Sequence, residues 1–431
     1  MAVPAHVSQT LHDPLTGLAG EALLGEVGTR LLGLARRYGR WSCVLHLRVG
    51  GIGHALHSLH RPEQALLLRR IGRRLNRCLR ETDVVARVGP DRFAIVLSDF
   101  WEAETCAGIA RRMLHELGTL RVPGRRCAPD VRIGVAIFPN DAEDLDVLLH
   151  QAARACNRVH GPGASLEFHD TALGARLQAS LEIGEDLQHG SARSQMFLAF
   201  QPIFSLDGDR LVGAEALSRW HHPTRGTLIA SSFIPQAERS GRILTIDRWA
   251  LESAVSQARD WRRDGWDGWV SVNMSARSFA GPHVVPLVLN TLRKKDVDAD
   301  ALVVEITESE ALGELPAAVD TIAELQRQGV RVAIDDFGSG YASFRYVNEL
   351  DASFIKIDRS FLLAADREAR HARLLESMID MAHQMEKPVI SEGVENNHQR
   401  DRLAAAGCDF MQGWLNGEAI DGVNFGDRWL A

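Results

Sequence analysis

Residues 301–336 read ALVVEITESEALGELPAAVDTIAELQRQGVRVAIDD. The run Ala301–Thr307 is apolar apart from Glu305, and Glu308 stands just beyond it. Ala317–Gln328 carries apolar residues at helical spacing. A second apolar run begins at Val330 and ends in two adjacent acids, Asp335 and Asp336. This is one strand–helix–strand unit with acids at its strand ends. The pattern repeats outward on both sides. Upstream lie MFLAFQPI from Met196, LVGAEAL from Leu211 and WVSVNMS from Trp269. Downstream lie FIKID from Phe354, PVISEG from Pro388 and DFMQGW from Asp409. Amphipathic stretches such as Ile246–Arg263 separate them. About eight strand–helix units over roughly 230 residues predict an α/β domain folded as a TIM-type (β/α)8 barrel.

The chain ahead of the barrel has a different rhythm. Arg40–Leu47 reads as a strand, Glu63–Arg80 as a helix, and Ala86–Leu97 as a hairpin around a Gly-Pro turn. Val131–Phe138 reads as another strand and Leu145–Val159 as another helix. Residues 13–168 therefore form a compact α/β domain, 169–190 a helical connector, and 191–431 the barrel. Two domains suit 431 residues. Apolar content of 45% and charged content of 24% are those of a soluble globular protein. A net charge of −7 gives no reason to expect nucleic-acid binding. No long apolar run suggests a membrane span, and the N-terminus does not read as a secretory signal. Cys43, Cys78, Cys106, Cys127, Cys156 and Cys408 form no Cys-x-x-Cys pair, which points to reduced thiols in a cytoplasmic protein.

Within the barrel, polar residues close otherwise apolar strands: Glu215, Asn273, Glu305 with Glu308, Asp335 with Asp336, Lys356, Glu392 and Gln412. A barrel gathers the C-terminal ends of its strands around one mouth, so these groups should converge. Five or six carboxylates there would repel each other unless cations lay among them. Hard divalent ions such as Mg²⁺ or Mn²⁺ prefer such oxygen ligands. Two ions about 4 Å apart suit phosphodiester hydrolysis. Lys356 would then orient the attacking water or neutralise phosphate charge. Taken singly, each residue has a plainer reading: Asn273 a helix cap, Lys356 an ion-pair lysine, Glu392 a loop-stabilising acid.

The ordered segments QPI at Gln201, EALSRW at Glu215, VNMS at Val272, EITES at Glu305, DDFGSGYAS at Asp335, FIKID at Phe354, SEGVE at Ser391 and QGW at Gln412 resemble the EAL phosphodiesterase family. The resemblance covers essentially everything after residue 190. It implies hydrolysis of cyclic di-GMP to linear pGpG, with Glu215, Asn273, Glu305 and Asp335 on a first metal ion and Asp336 on a second. It assigns Lys356 and Glu392 to the water nucleophile, and Glu308 to bracing the loop after Asp335. Gln201, Arg219 and Gln412 would contact the dinucleotide. It also implies a homodimer through that loop, Phe337–Phe344. One departure stands out: after QGW the family continues into Arg-Pro or Ser-Pro, whereas this chain reads LNGEAI.

The first domain resembles the GGDEF diguanylate cyclase family through DPLTGLAG at Asp13, DVVARVGPDRF at Asp83 and RIGVAIFP at Arg132. Its chemistry reads as erased. The signature loop is Gly89-Pro90-Asp91-Arg92-Phe93, in which Pro90 fixes φ and removes a donor. Arg92 stands where the family has a metal-binding acid, Arg48 where it has a metal-binding Asp, and His160 where it has a phosphate-binding Lys. Arg80 and Asp83 match the family's inhibitory product-binding RxxD; the plainer reading is an exposed helix-end pair. The domain then serves a regulatory role or offers a platform for a protein partner.

Three weaker signals remain. His54, His57 and His60 recur at a spacing that drifts around a helix, with no fourth ligand evident. Arg69, Arg70, Arg73, Arg74 and Arg77 read as the solvated or partner-facing side of an amphipathic helix. Trp261, Trp266 and Trp269 are expected to pack on the barrel exterior. Two functions compete: a phosphodiesterase tuned by a silent domain, and a receptor that holds cyclic di-GMP without cutting it. The filled ligand positions favour the enzyme.

Overall fold

The computed structural model describes residues 11–50, 60–120, 129–159, 165–188, 192–308, 311, 315–338 and 350–430. The expectations placed on His54, His57, His160, Cys127 and residues 339–344 lie outside them. The chain divides into two compact units between Ile183 and Gly184, within a helix that spans Thr171–Asp186.

In the first unit five strands form one sheet: β1 (Trp41–Gly50), β2 (Val84–Arg87), β3 (Arg92–Phe100), β4 (Asp130–Phe138) and β5 (Ser165–Phe168), in the order β2-β3-β1-β4-β5. Alternation along each strand separates two cores. Leu45, Leu47, Phe93, Ile95, Ile133 and Val135 face the helices Arg61–Arg77 and Glu104–Gly118. Val44, Ala94, Val96 and Ala136 face the helices Glu21–Tyr38 and Leu145–Arg158. His60 stands at the start of the Arg61–Arg77 helix, its backbone N–H donating to Glu63 Oε2 at 3.1 Å.

In the second unit the strands β6 (Met196–Ser205), β7 (Leu211–His222), β9 (Trp269–Asn273), β10 (Leu302–Thr307), β11 (Arg331–Phe337), β12 (Phe354–Ile357), β13 (Val389–Ser391) and β14 (Phe410–Gln412) close a barrel, with β8 (Gly226–Ile229) and β15 (Ile420–Asp421) added at its flanks. Seven of the eight run parallel; β6 runs antiparallel to both its neighbours, β7 and β14. This corrects the expectation of a uniform strand–helix repeat. The barrel's first two strands form a hairpin joined by the short loop 206–210, in which Gly208 (φ +80°) and Asp209 (φ +47°) both take positive φ and turn the chain back.

The barrel interior has two layers. Ile203, Val212, Trp269, Val303, Ala333, Phe354 and Ile390 fill the end at which the parallel strands begin. Trp269 stacks on Phe354 (ring centroids 5.4 Å apart) and meets Phe410 edge-on. This corrects the exterior placement expected of Trp269. Gly213 on the neighbouring strand makes the room: a Cβ there would lie 2.5 Å from the indole. Trp261 and Trp266 do pack outside the strands, around Phe200 and Phe425.

Candidate active site

Two residues further along the same inward faces the chemistry changes. Glu215 follows Gly213, Glu305 follows Val303, Asp335 follows Ala333, Lys356 follows Phe354, Glu392 follows Ile390 and Gln412 follows Phe410. Period-2 geometry stacks each polar group directly above the apolar layer, at the C-terminal mouth. On the inverted strand β6 the order reverses: Gln201 precedes Ile203, and so reaches the same mouth.

At the centre is Lys356, 0% exposed. Its Nζ lies 2.7 Å from Glu392 Oε1, 2.8 Å from Glu305 Oε2, 3.1 Å from Asp335 Oδ1 and 3.3 Å from Glu215 Oε2. One ammonium thus faces four carboxylates. Glu215 also accepts from Asn273 Nδ2 (2.7 Å) and from Gln412 Nε2 (2.6 Å). The Gln412 amide donates in addition to Gln201 Oε1 at 3.1 Å. Glu305, 0% exposed, leaves Oε1 buried with no partner.

The acids titrate apart. Burial pushes Glu305 up to about 8, against the pull of Lys356. Burial also raises Asp335, and it raises Glu392 well above the usual carboxylate range. Burial and the Asp335 charge lift Asp336 to about 6. Glu215 is equally buried, yet the Lys356 charge and the Gln412 and Asn273 amides outweigh the desolvation and hold it below its ordinary value. The surrounding acids raise Lys356 further, against the effect of burial.

Adjacent strand residues point to opposite faces, so Asp335 and Asp336 should diverge. They do not. The β11–β12 register slips between Ile334 and Phe337, and Asp336 takes φ +55°. This irregularity turns Asp336 so that it, Asp335 and Glu392 bring carboxylate oxygens within 4.8 Å of one another. Glu215, Glu305 and Asp335 form a second such group, with Asp335 common to both. Glu308 is buried, and its Oε2 accepts from the Gly338 N–H at 2.6 Å, just after the acid pair.

Above the acids opens a cleft of about 740 Å³, lined among others by Gln201, Glu215, Asn273, Asp335, Asp336, Glu392 and Gln412. Lys356 and Glu305 lie beneath it rather than on its wall. Arg219 is not on the wall either: it is half-buried further along β7, on the side of Glu215, with Nη1 donating to the Ser218 carbonyl. One wall residue escaped the sequence reading. Asp247, buried, accepts from Ser275 Oγ (2.6 Å) and Ser278 Oγ (2.5 Å) and so fixes the turn after Asn273. Its signal was present: Asp247 sits on the apolar stripe Ile243, Ile246, Ala250, Leu251 and Ala254 of its helix.

The residues present fit divalent cations. The central lysine supplies one positive charge to four acids, Glu305 holds an unpartnered buried oxygen, and two oxygen groups share Asp335. Elsewhere, the Arg80–Asp83 pair is built into a turn. Asp83 accepts from the backbone N–H groups of Arg80 (2.8 Å) and Ser98 (3.4 Å), while the Arg80 guanidinium lies 5.5 Å from the Phe100 ring centre.

Fold and site define a closed barrel with one inverted strand and an acid-lined, cation-ready mouth. The EAL domain family model matches residues 184–419, and the chain belongs to the EAL family. The model described as diguanylate cyclase, GGDEF domain, matches residues 10–164. The bifunctional diguanylate cyclase/cyclic di-GMP phosphodiesterase MucR of Pseudomonas aeruginosa is 30% identical, over 96% of this chain and 61% of its own. The cyclic di-GMP phosphodiesterase NbdA of the same organism is 30% identical, over 94% of this chain and 52% of its own. The chain therefore spans about half to three fifths of the length of these relatives. Among solved structures, a PaMucR phosphodiesterase in complex with c-di-GMP is similar with a TM-score of 0.53 and 32% identity, covering 59% of this chain and 99% of that one.

Proposed function

We propose that the barrel hydrolyses cyclic di-GMP to linear pGpG with two divalent cations, Mg²⁺ or Mn²⁺, and that the GGDEF-like domain, catalytically silent, regulates it. The observation that carries this reading is the Lys356-centred acid set opening on the cleft. Glu215, Asn273, Glu305 and Asp335 would hold one cation, and Asp335 with Asp336 the other. Bound there, the cations would supply Lewis-acid charge to the phosphate and lower the pKa of water. The chain's own groups do the rest. Glu392 lines the cleft with Oε1 2.7 Å from the Lys356 ammonium, so it is positioned to take the proton of the attacking water. The new bond would join that water oxygen to phosphorus, and the bond from phosphorus to one ribose oxygen would break, that oxygen taking a proton from solvent water to become a hydroxyl and opening the ring. Gln412 donates to Glu215 and to Gln201, and both glutamines would face the dinucleotide, while Arg219 would receive its outer phosphate. Glu308 braces the backbone at Gly338 and so steadies the acid pair.

In the first domain, silence is supported by an Arg48–Asp91 ion pair at 3.1 Å and by Pro90 in the signature loop. The chain is read as 13–168, 169–190 and 191–431, with homodimerisation through the barrel. Among the described residues no helix is long and apolar enough to cross a membrane.

The test is incubation of the full chain with cyclic di-GMP and Mg²⁺ or Mn²⁺, followed by chromatography for pGpG. Turnover is expected, and Glu215→Ala or Asp335→Asn should abolish it. Tight binding without turnover would place the protein with the receptors instead.

A further inference from the structure

The chain draws almost all its positive charge from arginine. Of its 49 lysines and arginines only four are lysines: Lys294, Lys295, Lys356 and Lys387. Lys356 sits among the barrel acids, and Lys387 pairs with Asp351. The remaining two are neighbours in the last turn of the helix Val284–Lys295. Both line a second cavity of about 510 Å³, between that helix and the helix Ile243–Arg263. Arg248 reaches the same cavity from the second helix. Among the described residues none of these three cations pairs with a carboxylate. The acid on the wall, Glu252, is engaged by Arg193 at 3.5 Å. A helix C-terminus favours cations, which accounts for lysines in the last turn. It does not account for Arg248, in the second turn of its own helix, or for the convergence of all three in a chain of net charge −7.

The rest of the wall is mixed. Pro286 and Leu287 are apolar. Asn290 Oδ1 accepts from Arg293 Nη2 at 2.7 Å, which leaves its amide nitrogen as a donor. Thr291, buried, donates its hydroxyl to the Leu287 carbonyl at 2.8 Å and keeps its oxygen as an acceptor. The helix Ile243–Arg263 also faces the catalytic cleft, where Ile243, Ile246, Asp247 and Ala250 line the wall. Asp247 stands beside Arg248 in the chain, and through Ser275 and Ser278 it holds the turn after Asn273. One helix therefore borders both cavities.

We infer that the cavity between these helices is an effector site for a small phosphate monoester with a hydroxyl-bearing body. A lysine ammonium is a compact point charge with three rotatable donors, so two of them and a guanidinium can meet tetrahedral oxygens from several sides. Asn290, Thr291 and Glu252 supply the donors and acceptors that hydroxyls need, and Pro286 and Leu287 take the C–H faces. A cavity of this size holds a ligand of sugar-phosphate dimensions. A ligand bridging Arg248 to the lysines ties the two helices together, and Asp247 carries that restraint to the Asn273 turn. The effect on catalysis rests on the phosphodiesterase reading above; the binding does not.

The experiment is calorimetric titration of the full chain in EDTA with glucose 6-phosphate and, in parallel, with inorganic phosphate and with succinate. Turnover of cyclic di-GMP is then measured in Mg²⁺ with and without saturating glucose 6-phosphate. Glucose 6-phosphate is expected to bind more tightly than either small anion. Lys294→Gln and Arg248→Gln should each weaken it roughly tenfold. Arg70→Gln, on the helix Arg61–Arg77 of the first unit, is the control and should leave its affinity unchanged. Saturation should move KM for cyclic di-GMP by about fivefold or more, and the double variant Lys294→Gln, Lys295→Gln should lose that shift. Absence of binding, or affinities unchanged in the Lys294 and Arg248 variants, would overturn the site. Equal or tighter binding of inorganic phosphate or succinate would overturn the phosphate-monoester assignment. Bound ligand that leaves KM unmoved would overturn the effector role. Binding without any turnover would count against the phosphodiesterase reading and support the site, the shift then being read in the affinity for cyclic di-GMP.

Discussion

Replacing Lys356 with methionine keeps most of the side-chain volume and removes the ammonium that, among the described residues, pairs with Glu215, Glu305, Asp335 and Glu392. Breaking a buried pair from one side typically costs about 3–5 kcal/mol, because the remaining charge stays buried without compensation. Here four acids lose their partner together, so the upper part of that range applies, softened as some of them take up protons. For a unit of this size 1 kcal/mol moves Tm by about 2–4 °C, which gives a fall of about 10 °C. The measurement is scanning calorimetry of wild type and Lys356→Met in EDTA, at several pH values. The sign of the pH effect follows from Glu305, whose folded value of about 8 stands above its ordinary 4.5. The stability it contributes is complete below about 4.5 and lost as pH rises through about 8. Without Lys356 the acids rise further, so the gap between variant and wild type should widen from pH 5.5 to pH 8. Mg²⁺ or Mn²⁺ should narrow it by binding the folded state. A variant that melts with wild type in EDTA at pH 8 would refute Lys356 as the counter-charge of the site.

Two further outcomes follow from the same layers. Cation affinity should increase from pH 6 to pH 8, because a proton on Glu305 must leave before its oxygens can ligate; calorimetry in buffers of different ionisation enthalpy reads the released proton, and binding without release would contradict the assignment of Glu305. Trp269→Ala removes the largest ring of the apolar layer and should lower stability by about 3–5 kcal/mol, while turnover per folded molecule stays near wild type; a selective loss of turnover would mean that the lower layer shapes the mouth.

Most of the barrel was legible because its inner faces repeat one short pattern. An apolar or small residue is followed two positions later by a polar one: Gly213 to Glu215, Val303 to Glu305, Phe354 to Lys356, Ile390 to Glu392. That spacing gave the mouth and its occupants without coordinates. The same pattern held the clue to the inverted strand. In β6 the polar Gln201 comes before Ile203, which only a strand of opposite direction can bring to the same mouth. The Gly208-Asp209 turn pointed the same way and was passed over. One feature lay beyond any reading of residue types. The left-handed Asp336 brings adjacent acids to one side of the strand. The Glu308 to Gly338 bond joins groups 30 residues apart; residue types alone do not show it, and the family resemblance pointed Glu308 to that loop.

In the first unit an arginine rung was hidden for a related reason. Arg48, Arg92 and Arg132 stand at least 40 residues from each other along the chain. Only the register of three strands puts them on one rung, where side-chain chemistry becomes a field rather than a set of residues. The barrel mouth follows the same logic with the opposite sign. In both places apolar rungs fix the backbone first, and the next rung along gathers like charges that the fold leaves short of partners. Like charges held together by a well-packed layer beneath them cost stability. A divalent cation bound among the acids of the second unit would offset that cost there.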